Sequence, residues 1–331
     1  MVGPARVRTL EVIYGFSDSE RWSCRSGEFV SRTEQSRVFC LRVQHIPWFE
    51  GWRPLLRMAS LDCRRADCQR HIQTVTLLIE FLSLFAIVVG AIVLVMLLTG
   101  LFFEIMNARH PERRIQKDRV NTRKWQELRQ APVSILTLTT CFVSGLFAQQ
   151  QGWTIAPLEL SWWSGPLMLL ASVVLYDAWF YWVHRLLHRK PFYRFHALHH
   201  KSVAPTVWSN HHESFVEALL NQAYYALVVF VLPIPWQMLV LQKLYDQVSG
   251  MLGHAGYEHF ASPAGRAPWP LASTVFHDQH HGTFRFNFGH TFSFWDRWMG
   301  TLHPRYDETL KTFEAADAAA PSQPQMGSER H

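Results

Sequence analysis

The chain has 331 residues, room for one large domain or two ordinary ones. Apolar residues make up 48% of it and charged residues only 18%, which excludes intrinsic disorder and collagen-like structure. The net charge of +6 suits either nucleic acid or a membrane protein with Lys and Arg gathered on its cytoplasmic side. Five cysteines (Cys24, Cys40, Cys63, Cys68, Cys141) contain no C-x-x-C pair and suit no small disulfide scaffold.

Residues 1–57 carry scattered charges, no sustained helical periodicity and no signal-peptide order. They are expected to be a dispensable, poorly ordered extension; a start at Met58 is the other reading. From Thr74 to Phe103 a single charge, Glu80, occurs in thirty residues. About 20 apolar residues span a bilayer core, so this run predicts a membrane helix with length to spare. A second run, 132–148, is shorter and Thr-rich. A third, 165–183, ends in aromatic residues, as a helix leaving the interface does. Trp162, Trp163, Trp179, Trp182, Phe192 and Tyr193 are expected to form an interfacial belt. A fourth region, 215–241, is interrupted by Pro233 and Pro235, which predicts two shorter helices folded as a hairpin.

Orientation follows from Lys and Arg. Residues 104–130 hold eight of them and residues 149–164 none, which places the first loop, and the histidines beyond run three, in the cytoplasm. Arg64, Arg65 and Arg70 break this pattern, so the N-terminal side is left unassigned.

All but four of the 18 His lie between His184 and His303. His184 and His188 stand at i, i+4 on one helical face, where two imidazoles can share a metal. His196, His199 and His200 follow with offsets that predict roughly one face, and His277, His280 and His281 repeat the spacing. Eight imidazoles exceed what one four-coordinate zinc uses, so two metals fit the count. Only six acidic residues occur in this window, so carboxylates are expected around the ligands, orienting rings, rather than among them. Asp177, the only acid in the third span, and Asp278 and Asp296 are the candidates for that role. His45 and His331, with no partner histidine at ligand spacing, are expected to be dispensable. The competing reading is a membrane metal-binding or metal-transport protein without redox chemistry; a transporter, however, should carry polar ligands inside its spans, and these spans hold little beyond Asp177.

Between Leu170 and Arg305 the sequence resembles the membrane fatty acid hydroxylase/sterol desaturase superfamily. The resemblance rests on Asp177-x-x-x-Tyr181-x-x-His184-Arg-Leu-Leu-His188, Phe195-His-x-x-His-His200, His254-Ala-Gly-Tyr-Glu258 and His277-Asp-x-His-His281. It ends in the stretch from Phe286 through FWDRWMGTL, which looks most like the methylsterol monooxygenase and sterol-hydroxylase branch. The apolar runs and the Lys and Arg asymmetry predict an all-α integral membrane bundle, multi-pass, with a cytoplasmic histidine-rich helical cap, and the resemblance implies a dinuclear metal site in it. It implies two iron ions, replaceable by zinc in isolated protein, with O2 as co-substrate and electrons from a separate NAD(P)H-linked donor. The substrate would be a membrane lipid, a sterol or fatty acyl chain, hydroxylated, desaturated or oxidised at a methyl group; no nucleic acid partner is implied.

Carried over residue by residue, the resemblance puts His184, His188, His196, His199, His200, His254, His277, His280 and His281 on the metals, with His212 and His259 less firmly placed. One departure stands out: the methylsterol branch has a His-Pro-x-Glu segment where this chain has Ser214 to Glu217, with His211 and His212 just upstream to substitute. The domains read as an extension (1–73), a transmembrane region (74–165), a fatty acid hydroxylase-like catalytic domain (166–312) and a disordered tail (313–331).

Overall fold

The structure, a computed structural model, describes residues 65–319; His45, His331 and most of the expected N-terminal extension lie outside them. The chain divides into two units at Ile79 and Glu80. Of the first unit only the beginning of a helix is described, in which the Thr74 and Thr76 hydroxyls donate to the carbonyls one turn back, at 2.9 and 3.0 Å. The described residues are all-helical, without a named strand.

Helix α1 (Arg65–Arg109) therefore starts ahead of the expected boundary at residue 74. It is apolar on every side, and Leu94, Leu98, Leu101 and Phe102 are more than half exposed, as side chains facing lipid are. At about 1.5 Å per residue its 45 residues exceed a bilayer core of about 30 Å. Helices α2 (Lys124–Gln150) and α3 (Ser164–Leu187) are also long and apolar enough to cross a membrane. Helix α2 is the most enclosed of the three, and α5 (Phe215–Leu227) lies along it. The two meet at Gly145, where a Cβ would collide with the Tyr225 carbonyl. Small residues let membrane helices approach this closely. Gly145→Leu is expected to destabilise the bundle by about 1–3 kcal/mol or more, read as a lower melting temperature in detergent; an unchanged melting temperature would contradict the packing.

On α3 the buried positions Tyr176, Asp177, Tyr181, His184 and Leu187 form one inward stripe at helical spacing. The break expected at the prolines is where it was read. Helix α5 tightens into a single 3-10 turn (Val228–Phe230), and after Pro235 a new helix, α6 (Trp236–Gly253), begins.

His184 lies on the last turn of α3, His188 caps that helix and His254 caps α6; the other clustered histidines lie on short elements. These are α4 (Lys190–His196), a 3-10 turn (His199–Lys201) and α7 (Thr274–Thr283). Helices α8 (Phe294–Trp298) and α9 (Tyr306–Ala319) close this layer. Helix α9 enters the first residues of the expected tail, the rest of which lies outside the described residues. It runs past Phe313 to Ala319 because the stretch is rich in Ala, Glu and Asp, and Ala and Glu are good helix formers. Trp162, Trp163 and Trp182 are at least half exposed, consistent with a belt, whereas Trp179 turns inward and donates to the Leu220 carbonyl.

Candidate metal centre

Nine imidazoles from five elements and their flanks converge into two groups. His184, His188, His196, His200 and His280 form the first; His199, His254, His277 and His281 form the second. In the first, the Nε2 atoms of His184 and His196 lie 3.1 Å apart, those of His188 and His200 3.1 Å, and those of His200 and His280 3.2 Å. In the second, His254 Nε2 lies 3.2 Å from that of His199 and 2.9 Å from that of His277, which is 3.2 Å from His281. Two nitrogens each about 2.1 Å from one ion, at right angles, lie about 3.0 Å apart. The spacing is that of a coordination sphere.

The outer ring atoms set the tautomer. His184 Nδ1 donates to the Phe288 carbonyl (2.9 Å), His280 Nδ1 to Phe286 (2.7 Å), His254 Nδ1 to Gly250 (2.7 Å) and His281 Nδ1 to Ser202 (3.0 Å). A ring that donates through Nδ1 presents its Nε2 lone pair inward, as ligating histidines do. Nε2 lone pairs facing one another with no proton between them repel, and a cation in their midst removes that repulsion. The donor set thus fits metal ions, and iron and zinc both accept imidazole. Burial holds His188 and His254 down at about 4, and burial with neighbouring imidazoles holds His196, His199, His277, His280 and His281 well below the usual range. These rings are neutral at pH 7 and ready to ligate.

Protons compete with metal for Nε2. Free imidazole takes its proton near pH 6.5, and burial moves that competition down to about 4 at His188 and His254. Metal is therefore expected to stay bound at pH 7 and above, and to be lost as pH falls through about 4. Metal analysis after dialysis across this range checks it; complete release near pH 6.5 would contradict it.

None of the three aspartates expected to orient rings touches one. Asp177 accepts from the backbone N–H groups of Thr291 (2.7 Å) and Phe292 (3.0 Å). Asp278, whose carboxyl burial pushes up to about 7, accepts from Gln116 (3.0 Å). Asp296 accepts from the N–H groups of Phe288 (2.9 Å) and Gly289 (2.8 Å), so it reaches His184 only through the Phe288 carbonyl. Against the rings of the two groups the carboxyl partner is Glu217, whose Oε1 lies 2.6 Å from His196 Nδ1, both side chains nearly fully buried. Its signal in the sequence was the glutamate retained at the end of the Ser214–Glu217 segment. Ser214, in place of the branch's histidine, caps α5, its Oγ accepting from the Glu217 N–H at 3.2 Å.

His211, His212 and His259 stand outside both groups. The His211 ring lies between Ser134 Oγ (3.1 Å) and Gln247 Nε2 (2.7 Å). His212 Nδ1 meets Ser202 Oγ at 3.1 Å, and His259 Nε2 meets Asn107 at 2.7 Å. Each meets a polar neighbour, and neither His211 nor His212 is among the nine histidines of the two groups.

A cavity of about 400 Å³ opens onto both groups, touching His184 and His196 of the first and His199, His254 and His277 of the second. Phe180 and Tyr176 of α3 form part of its wall.

Three helices long and apolar enough to cross a membrane, beside histidine clusters able to bind metal, define an all-helical class of membrane metal-site proteins. Residues 169–301 match the family model for fatty acid hydroxylase, so the resemblance drawn from the histidine motifs stands. Methylsterol monooxygenase 1 of Gallus gallus is 33% identical over 135 residues, 39% of this chain and 43% of that protein. The C-4 methylsterol oxidase of Schizosaccharomyces pombe is 34% identical over 163 residues, 44% of this chain and 49% of that protein. Lathosterol oxidase of Mus musculus is 31% identical over 147 residues, 43% of this chain and 48% of that protein. The chain spans a little under half the length of these relatives. No solved structure matches it.

Proposed function

We propose that this chain is a membrane-bound, O2-dependent di-iron oxidoreductase that acts on an unactivated C–H bond of a lipid, a sterol or a fatty acyl chain. The observation that carries the reading is the pair of buried imidazole groups opening onto one cavity. The nine histidines would hold two irons, which supply the activation of O2 and the removal of a hydrogen atom. The chain's own residues do the rest. The Phe288, Phe286, Gly250 and Ser202 carbonyls and the Glu217 carboxylate fix ring orientation. Burial excludes water from the site, and the cavity receives the lipid. Electrons come from a separate NAD(P)H-linked protein, and the relatives' names as sterol oxidases support a lipid substrate.

Purified protein should contain two irons per chain and consume O2 when given reductant and a membrane lipid extract. Zinc translocation in vesicles without oxygen uptake would replace this reading with a transporter. The eight-to-zero Lys and Arg asymmetry supports a cytoplasmic histidine layer. A cysteine introduced near His303 should be labelled from that side, and labelling only from the opposite side would reverse the topology.

A further inference from the structure

The cavity also reaches a second polar cluster, which the metal groups do not use. Lys243 and Asp246 lie one turn apart on α6 with Nζ and Oδ2 at 2.6 Å, both nearly fully buried. Gln222 of α5 accepts from Lys243 Nζ at 2.7 Å, and His290 Nε2 lies 3.4 Å from Asp246 Oδ1. Beside Gln222, Asn221 is 7% exposed and its Oδ1 has no hydrogen-bond partner. All five residues line the cavity. A single ring, Phe180, separates the cluster from the first metal group, its centroid 5.0 Å from that of His290 and 5.3 Å from that of His184.

A passage for bare hydrocarbon needs only apolar walls. An ion pair taken out of water costs desolvation that its own attraction does not reliably return, and ionisable side chains buried in a membrane bundle mark functional sites. The free hydrogen-bonding capacity here is on the acceptor side. Lys243 already donates to Gln222 and Asp246 and faces the Tyr225 ring at 4.7 Å, while Asn221 Oδ1 awaits a donor. A carboxylate head group would meet Asp246, and an ether or ester has no hydrogen to give. A hydroxyl donates to Asn221 and still accepts.

We propose that Asn221, Lys243 and Asp246 form a subsite that anchors a free hydroxyl group of the lipid, setting the reacting carbon one ring's depth away beside the histidines. This rests on the lipid-oxidation reading, and binding measured without reductant separates the two. Full-length protein in detergent is titrated with tritiated cholesterol and tritiated 1-hexadecanol, each competed by its own methyl ether. At least one alcohol should bind about tenfold or more tighter than its ether, because a site built for a hydroxyl rejects the analogue lacking it.

Lys243→Met/Asp246→Leu replaces the pair with apolar side chains of similar size, an exchange that folds tolerate. It should bring the ratio to within about twofold with ether affinity and metal content unchanged. Asn221→Leu should do the same without touching the ion pair. Equal affinity for alcohol and ether in both pairs, binding of neither alcohol, or a preference that survives in both variants overturns the subsite. An intact alcohol preference in protein that consumes no oxygen overturns the oxidation reading and leaves the subsite standing.

Discussion

His188→Ala, His200→Ala and His280→Ala are each expected to abolish lipid-dependent oxygen consumption and to lower bound metal. All three sit in the first group, where His200 Nε2 lies 3.1 Å from that of His188 and 3.2 Å from that of His280. Alanine removes a nitrogen from the coordination sphere and leaves a small cavity that water fills poorly. Changes one step further out already weaken metal binding by about 10–100-fold, so loss of a ligand should exceed that. His259→Ala and His211→Ala serve as contrasts, since both rings are engaged by polar neighbours outside the groups. Both variants should keep two metals per chain. Full activity in all three ligand variants would refute the metal site, and metal loss in His211→Ala would place that residue in it after all.

Glu217→Ala is expected to lower metal affinity by about 10–100-fold although Glu217 is in neither group. Its carboxylate is the acceptor for His196 Nδ1 at 2.6 Å, in a setting only 2–3% exposed. Without it, a buried N–H loses its partner, at a cost of about 1–3 kcal/mol, and the ring is free to turn its Nε2 away from His184. Glu217 is thus a positioning residue acting through His196. Glu217→Gln keeps an acceptor oxygen at the same reach and should recover most of the metal, whereas a role confined to packing would leave the glutamine and alanine variants differing in stability alone. Metal retained during dialysis against a chelator, compared with the melting temperature, distinguishes them.

Much of this protein was legible before its structure. The apolar runs identified the long helices, because a helix facing lipid needs apolar side chains on every side. Pro233 and Pro235 located the break between α5 and α6, since proline lacks the N–H a helix requires. The three histidine pairs at i, i+4 (His184 with His188, His196 with His200, His277 with His281) each end in a common metal group; for His184 with His188 and His277 with His281 the reason is that four residues bring a helical chain nearly back to the same face.

The partition of the remaining histidines was a tertiary decision. His199, expected on one face with His196 and His200, joins the other group because α4 ends at His196 and the chain turns before the 3-10 segment His199–Lys201. His280 leaves His277 and His281 for the first group because its direction on α7 differs from that of His281 by about 100°. The partners of the aspartates were set in the same way. Asp177 Oδ1 and both Asp296 oxygens accept from the backbone around Phe288 to Phe292, and which carboxylate reaches a ring depends on how α5 lies against α4. Helical spacing is a local property written along the chain; the meeting of His196 with Glu217, or of His199 with His254, is set by packing between segments far apart in it.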